Sequence, residues 1–165
     1  MQVKKKSKAQ ENKVAKDIGG KTILASGALW FAKGDVRSEH FLIECKTTEK
    51  NFYPLSARTW EKIYLEATKD GLRIPVMCIT LEKTQKNLAV LRSEDLRGML
   101  NQEPTIHYQT EKGRSNCSVS VRVTMESCRF KLKNSRGTPF DLITVLWEDF
   151  LSIANKYIES MGDEK

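Results

Sequence analysis

The fragment Asp35, eight intervening residues, then Glu44-Cys45-Lys46 sets two carboxylates and an ammonium beside a strongly apolar run. Residues 40–45, HFLIEC, read as a short strand buried on both faces. A sheet interior holds a charged group only where it is paired or binds a metal. Side chains alternate along a strand, so Glu44 and Lys46 project to the same face. A hairpin-like return through residues 37–40 brings Asp35 alongside Glu44, and two carboxylates in that position repel unless a cation lies between them. Hard oxygen donors of this kind suit Mg²⁺, with Mn²⁺ as its natural substitute. The Cys45 carbonyl offers a third oxygen. Such a site performs phosphodiester hydrolysis, the metal activating water and offsetting charge in the transition state. Lys46 then orients the water or stabilises that charge, and acts as a base only if burial lowers its pKa substantially.

The elements that position these residues follow from pattern. Residues 7–18 read as a helix with Ser7 as N-cap and Gly19-Gly20 as terminator. Val14, Ala15 and Ile18 lie three, four and seven residues after Glu11, which puts Glu11 on the core-facing stripe as a candidate further ligand. Two strand-like stretches, 22–25 and 27–32, are broken by Ser26-Gly27, and a turn at Lys33-Gly34 leads to Asp35. A polar loop with Asn51 and Pro54 follows the apolar strand. Ser56 caps a helix over 57–70, with Trp60, Ile63 and Tyr64 on its core stripe, and residues 75–81, PVMCITL, form another buried strand. Strand, helix, strand makes a βαβ unit and hence a parallel pair in a mixed sheet. Residues 88–91 read as a short strand, and Ser93 caps a helix to about Leu100. Residues 117–125 alternate as a half-buried antiparallel strand to which 127–132 can pair. Thr138-Pro139 opens a long helix to Met161, striped by Phe140, Ile143, Leu146, Phe150, Ile153 and Tyr157. The fold expected is a single α/β domain: a central mixed sheet flanked by helices over residues 1–100, with C-terminal antiparallel strands and a long helix over 101–165 packed on it.

Charge points to the partner. The net +7 is uneven: residues 137–165 sum to −4, which leaves +11 on residues 1–136. A basic body favours a polyanion, because lysine and arginine on phosphates release counterions. Lys4, Lys5, Lys6 and Lys8 read as a basic N-terminal arm, and Lys33 and Arg37 add cations near Asp35, all candidates for nucleic-acid contact. No apolar run approaches the roughly 20 residues of a membrane helix. No apolar segment follows the charged start as in a signal peptide, and the four cysteines contain no CxxC pair, so a reduced, cytoplasmic setting is expected. His40 and His107 have no partner at a diagnostic spacing.

The ordered set of Glu11, Ser26, Asp35, Glu44 and Lys46 resembles the PD-(D/E)XK nuclease superfamily, and within it the archaeal-type and phage Holliday junction resolvases. Those begin with a glutamate-bearing helix, then a strand and a Ser-Gly loop, an acidic motif, an E-x-K strand, a helix and a strand. The likeness covers residues 7–81, and Gly34 stands where the family has a proline. It implies a restriction-endonuclease-like core and an Mg²⁺-dependent endodeoxyribonuclease, with Ser26 near the site. It also implies a homodimer that resolves four-way DNA junctions by paired cuts, in a prokaryotic or phage-infected cell. Other readings stay open: a nuclease of duplex or ends, of restriction or recombination type; a non-catalytic basic nucleic-acid-binding protein; or a plain Glu44–Lys46 salt bridge at a strand end.

Overall fold

A computed structural model describes residues 2–23, 34–101, 109–110 and 117–162. In chain order the elements are α1 (Gln2–Ile18), β1 (Lys21–Thr22), β2 (Val36–Arg37), β3 (Phe41–Thr48), β4 (Phe52–Ser56), α2 (Ala57–Lys69) and β5 (Ile74–Leu81). Then come β6 (Lys86–Arg92), α3 (Ser93–Leu100), β7 (Gln109–Thr110), β8 (Ser118–Arg122), β9 (Cys128–Lys133), β10 (Pro139–Leu146) and α4 (Trp147–Gly162). Eight strands form one mixed sheet in the order β1-β2-β3-β5-β6-β10-β9-β7, parallel at β3–β5 and β7–β9 and antiparallel elsewhere. A separate two-stranded ribbon joins β4 to β8.

The βαβ unit forms as the pattern predicts. The strands β3 and β5 pair from Phe41↔Ile74 to Thr48↔Leu81, and both are buried because helices cover each face of the sheet. Between them α2 starts at Ser56, whose hydroxyl accepts the Thr59 N–H at 3.1 Å. Alternation along the strands sorts the core into two. Phe41, Ile43, Cys45, Val76 and Cys78 pack with Val14 and Ile18 of α1, Leu96 of α3 and Phe150 of α4. Met77, Ile79 and Leu81 pack with Trp60 and Ile63 of α2 and with Leu55 and Val121 of the ribbon. The result is a three-layer α/β domain: α1, α3 and α4 on one side, α2 and the ribbon on the other.

Several expectations are corrected. Residues 139–146 are the strand β10, not the start of the last helix, and lie between β6 and β9. Ile143-Thr144-Val145 are three successive β-branched residues, stiff at χ1 and suited to a doubly buried strand; Leu142 faces one core and Ile143 and Val145 the other. Residues 52–56 are the strand β4, not a loop, with Pro54 tolerated on an exposed ribbon. Its partner is β8, so 127–132 do not pair with 117–125 but belong with β9, which pairs with β10. The lysines of the supposed arm lie inside α1, since Lys4, Lys5, Lys6 and Lys8 sit in a stretch without glycine or proline. Ser7 therefore caps nothing and donates its hydroxyl to Glu11 at 3.2 Å. Likewise Ser93 provides no side-chain cap; it donates to Asp141 at 3.2 Å, with Arg92 in the cap position. The strand reading of 27–32 lies outside the described residues.

Candidate active site

Asp35 is placed by the end of a backbone ladder. Strand β2 pairs with β3 at Val36↔Ile43 and Arg37↔Leu42, and the Asp35 N–H still donates to the Ile43 carbonyl at 3.0 Å. One step on, the Cys45 N–H donates to the Asp35 carboxylate at 2.8 Å, so a side chain takes over where the main-chain pairing stops. This holds the carboxylate next to Glu44, as the hairpin reading anticipates. The turn before it depends on Gly34, whose φ is +69° and whose missing Cβ would lie 2.7 Å from Leu42 Cδ1. Proline, locked near φ −65°, cannot occupy that conformation. The Gly34 N–H donates to Glu66 of α2, itself buried, at 3.2 Å.

Glu44 and Lys46 share the α2-side face of β3 and form an ion pair, Lys46 Nζ to Glu44 Oε1, at 2.7 Å. The pair of the plainer reading is therefore present. It does not stand alone, because one ammonium faces two carboxylates. Burial, then the Asp35 charge, pushes the Glu44 carboxyl above the ordinary glutamate value, against the lowering pull of Lys46 and Lys62. Burial would lower the Lys46 pKa, but the Glu44 charge and hydrogen bond, with Tyr53 and Asp35, raise it overall. Lys46 thus stays an ammonium at neutral pH. Tyr53, on the ribbon's inner face, completes the cluster; burial raises its phenol, Lys46 lowers it and Glu44 raises it.

Glu11 stands on the other layer. Its helix packs against the opposite face of the sheet, where the carboxylate takes hydrogen bonds from Ser7 and, at 3.4 Å, from Lys8. Its field reaches the site through Cys45, whose thiol is pushed up by burial first, then by Cys78, Asp35, Glu11 and Glu44. Among the described residues no group of three or more His, Cys, Asp and Glu side chains is gathered closely enough to hold a metal ion. The donors drawn together are the oxygens of Asp35 and Glu44, which match the chemistry of a small, hard divalent cation.

Next to Glu11, Gln10 locks α1 onto the sheet. Its amide donates to Thr80 Oγ1 at 2.8 Å and to the Lys46 carbonyl at 3.1 Å, and its oxygen accepts Thr47 Oγ1 at 2.6 Å. Sequence reading passed over Gln10, Tyr53, Lys62 and Glu66. Tyr53 was signalled only by the aromatic pair Phe52-Tyr53, hidden by the adjacent Pro54. Of the proposed nucleic-acid contacts, Lys4 and Lys5 are exposed, Lys6 pairs with Glu82 at 3.1 Å, and Arg37 pairs with Asp70 at 3.2 Å. Ser26 and Lys33 lie outside the described residues. A cavity of about 400 Å³ between Tyr64, Arg92, Arg97, Arg129 and Phe140 is lined by none of the candidate residues. Its charges are largely balanced, Arg92 by Asp95 at 2.7 Å and Arg129 by Asp141. None of the described helices is long and apolar enough to cross a membrane. No protein-family model matches the chain, and no curated protein matches it.

Proposed function

We propose that this chain is a metal-dependent endonuclease of the PD-(D/E)XK type that hydrolyses DNA phosphodiesters, acting as a homodimer that resolves four-way junctions by paired cuts. The observation that carries the reading is the Asp35–Glu44–Lys46 cluster: Glu44 and a half-buried Lys46 ammonium on β3, with the Asp35 carboxylate held beside them from the residue just before β2. Asp35 and Glu44 would hold Mg²⁺ or Mn²⁺. A divalent ion there supplies Lewis acidity, activating water and offsetting the charge that develops on the phosphoryl group.

The chain's own residues supply the rest. The Cys45 N–H fixes one Asp35 oxygen, so the carboxylate is oriented before any ligand arrives. Lys46, kept protonated by Glu44, donates hydrogen bonds to a phosphate oxygen or to the attacking water and does not take its proton. The +11 on residues 1–136 supports a polyanionic substrate. The junction and the dimer rest on the ordered set of Glu11, Ser26, Asp35, Glu44 and Lys46.

The test is cleavage of a synthetic four-way junction and a linear duplex with Mg²⁺, with Asp35→Asn and Lys46→Ala as controls. The expected result is paired cuts in the junction by the wild type alone. Equal cutting of linear duplex removes the junction and keeps the nuclease. Binding that is identical with and without metal and never leads to cutting removes the enzyme. Sedimentation at micromolar protein tests the dimer; a monomer that still cuts junctions symmetrically refutes it.

A further inference from the structure

The ribbon of β4 and β8 has two unlike faces. Leu55 and Val121 point inward and are buried over α2, with Tyr53 and Val119 partly buried beside them. The other face carries Phe52, Pro54, Ser118, Ser120 and Arg122, all but half-buried Phe52 exposed. Neither strand contains a carboxylate. Two cations lie over the Phe52 ring, Arg122 Cζ 5.0 Å and Lys50 Nζ 5.4 Å from its centroid. The ribbon also packs near the candidate site: its inner face lies over α2 and β5, and Tyr53 on that face lies within the field of Lys46 and Glu44.

We propose that this outer face binds unpaired DNA bases, with Lys50 and Arg122 swinging from the Phe52 ring onto the flanking phosphates and leaving that ring as the stacking platform, so that a strand leaving a branch is held on the ribbon that packs against the candidate site. Charge complementarity names the occupant: two cations over one aromatic ring, with no acid on either strand, suit a base on a polyanionic backbone. Stacking needs a base face that is not already covered by a neighbour, and a branch point supplies one where a continuous duplex does not. This inference rests on the nuclease reading for its location, but binding can be measured without cleavage.

The experiment uses the full chain in chelator, with labelled oligothymidine, a fork with unpaired arms and a fully paired duplex, followed by fluorescence anisotropy. Phe52→Ala is expected to weaken fork and oligothymidine binding about ten-fold or more, while duplex binding changes by less than about two-fold. Phe52→Trp restores binding, and its added fluorescence is quenched by oligothymidine but not by duplex. Arg122→Gln reduces the slope of log affinity against log salt by about one phosphate contact. Equal losses on all three DNAs, or none, overturn the proposal, as does a Phe52→Trp fluorescence that no single strand quenches. A variant that alters sedimentation and leaves DNA binding unchanged would assign the face to a second copy of the chain, which also overturns it. A protein that cuts nothing yet shows the Phe52-dependent preference loses the nuclease reading alone; one that cuts junctions without the preference loses this inference alone.

Discussion

Lys46→Met separates the ammonium from its stem, and the geometry of the pair sets the size of the effect. The wild-type ammonium sits 2.7 Å from Glu44, whose side chain is 15% exposed, while that of Lys46 is 33% exposed. An exposed pair contributes at most about 1 kcal/mol, and breaking a fully buried one costs about 3–5 kcal/mol. A half-buried pair next to a second carboxylate falls between, at about 2 kcal/mol, or roughly 4–8 °C in melting temperature for a chain of this length. Methionine keeps the packing, so the loss reports charge. The same ammonium repels a divalent ion bound by Asp35 and Glu44. Removing it strengthens magnesium binding by about 1–2 kcal/mol at intermediate effective dielectric, near ten-fold in affinity. The expected outcome is that magnesium stabilises Lys46→Met more than wild type while the variant shows no cleavage. Thermal melting in chelator and in magnesium at mildly alkaline pH, with titration calorimetry, reads both effects. If magnesium raises both proteins equally, or the variant is as stable as wild type in chelator, the carboxylate pair is not a cation site of the kind argued.

Asp35→Asn keeps an oxygen for the Cys45 N–H, so stability should change by only about 1 kcal/mol; the magnesium-induced rise in melting temperature and the cleavage should both disappear. Retained cleavage would remove Asp35 from the site. Because the Glu44 pKa is raised, the folded protein holds that proton more tightly than the unfolded chain. The group's stabilising contribution is full below the ordinary glutamate value and is lost as pH rises from there through the raised value. Magnesium affinity takes the opposite course, falling as pH drops through the raised value. Affinity titrations across weakly acidic pH should show this dependence in wild type and a flatter one in Glu44→Gln. Gly34→Ala forces a Cβ into Leu42 at φ +69° and should cost about 2 kcal/mol by denaturant melting. An unchanged midpoint would contradict the turn.

The β3-α2-β5 unit was legible because its parts carried independent signals: two apolar runs too short for helices, and the Ser56 cap between them. The final helix was misread because Phe140, Ile143 and Leu146 fit a helical stripe extending from Phe150. Two periods coexist in such an apolar run, and only the β-branched triplet 143–145 separates them. The ribbon was invisible for a different reason: its partners β4 and β8 are more than sixty residues apart, and Pro54 resembles punctuation. In the candidate site, the shared face of Glu44 and Lys46 followed from alternation alone. The hydrogen bond from Cys45 N–H to Asp35 did not, since it depends on where β2 stops.

That stopping point also bears on Glu11. Glu44 belongs to one face of the sheet and Glu11 to the helix packed on the other. Asp35 differs, because its carboxylate lies at the level of the Cys45 amide, in the plane of the hydrogen bonds rather than above or below it. The Cys45 thiol on the α1 side registers the charges of Asp35, Glu11 and Glu44 together. Asp35 thus joins the acidic cluster to the hydrogen-bond plane of β3 through the Cys45 amide. On the proposed reading, a cation held by Asp35 and Glu44 would lie in the field of Glu11 without needing it as a direct ligand. The inward stripe read from the sequence agrees with a Glu11 side chain only 16% exposed, and on the proposed reading this carboxylate would give electrostatic support rather than ligation.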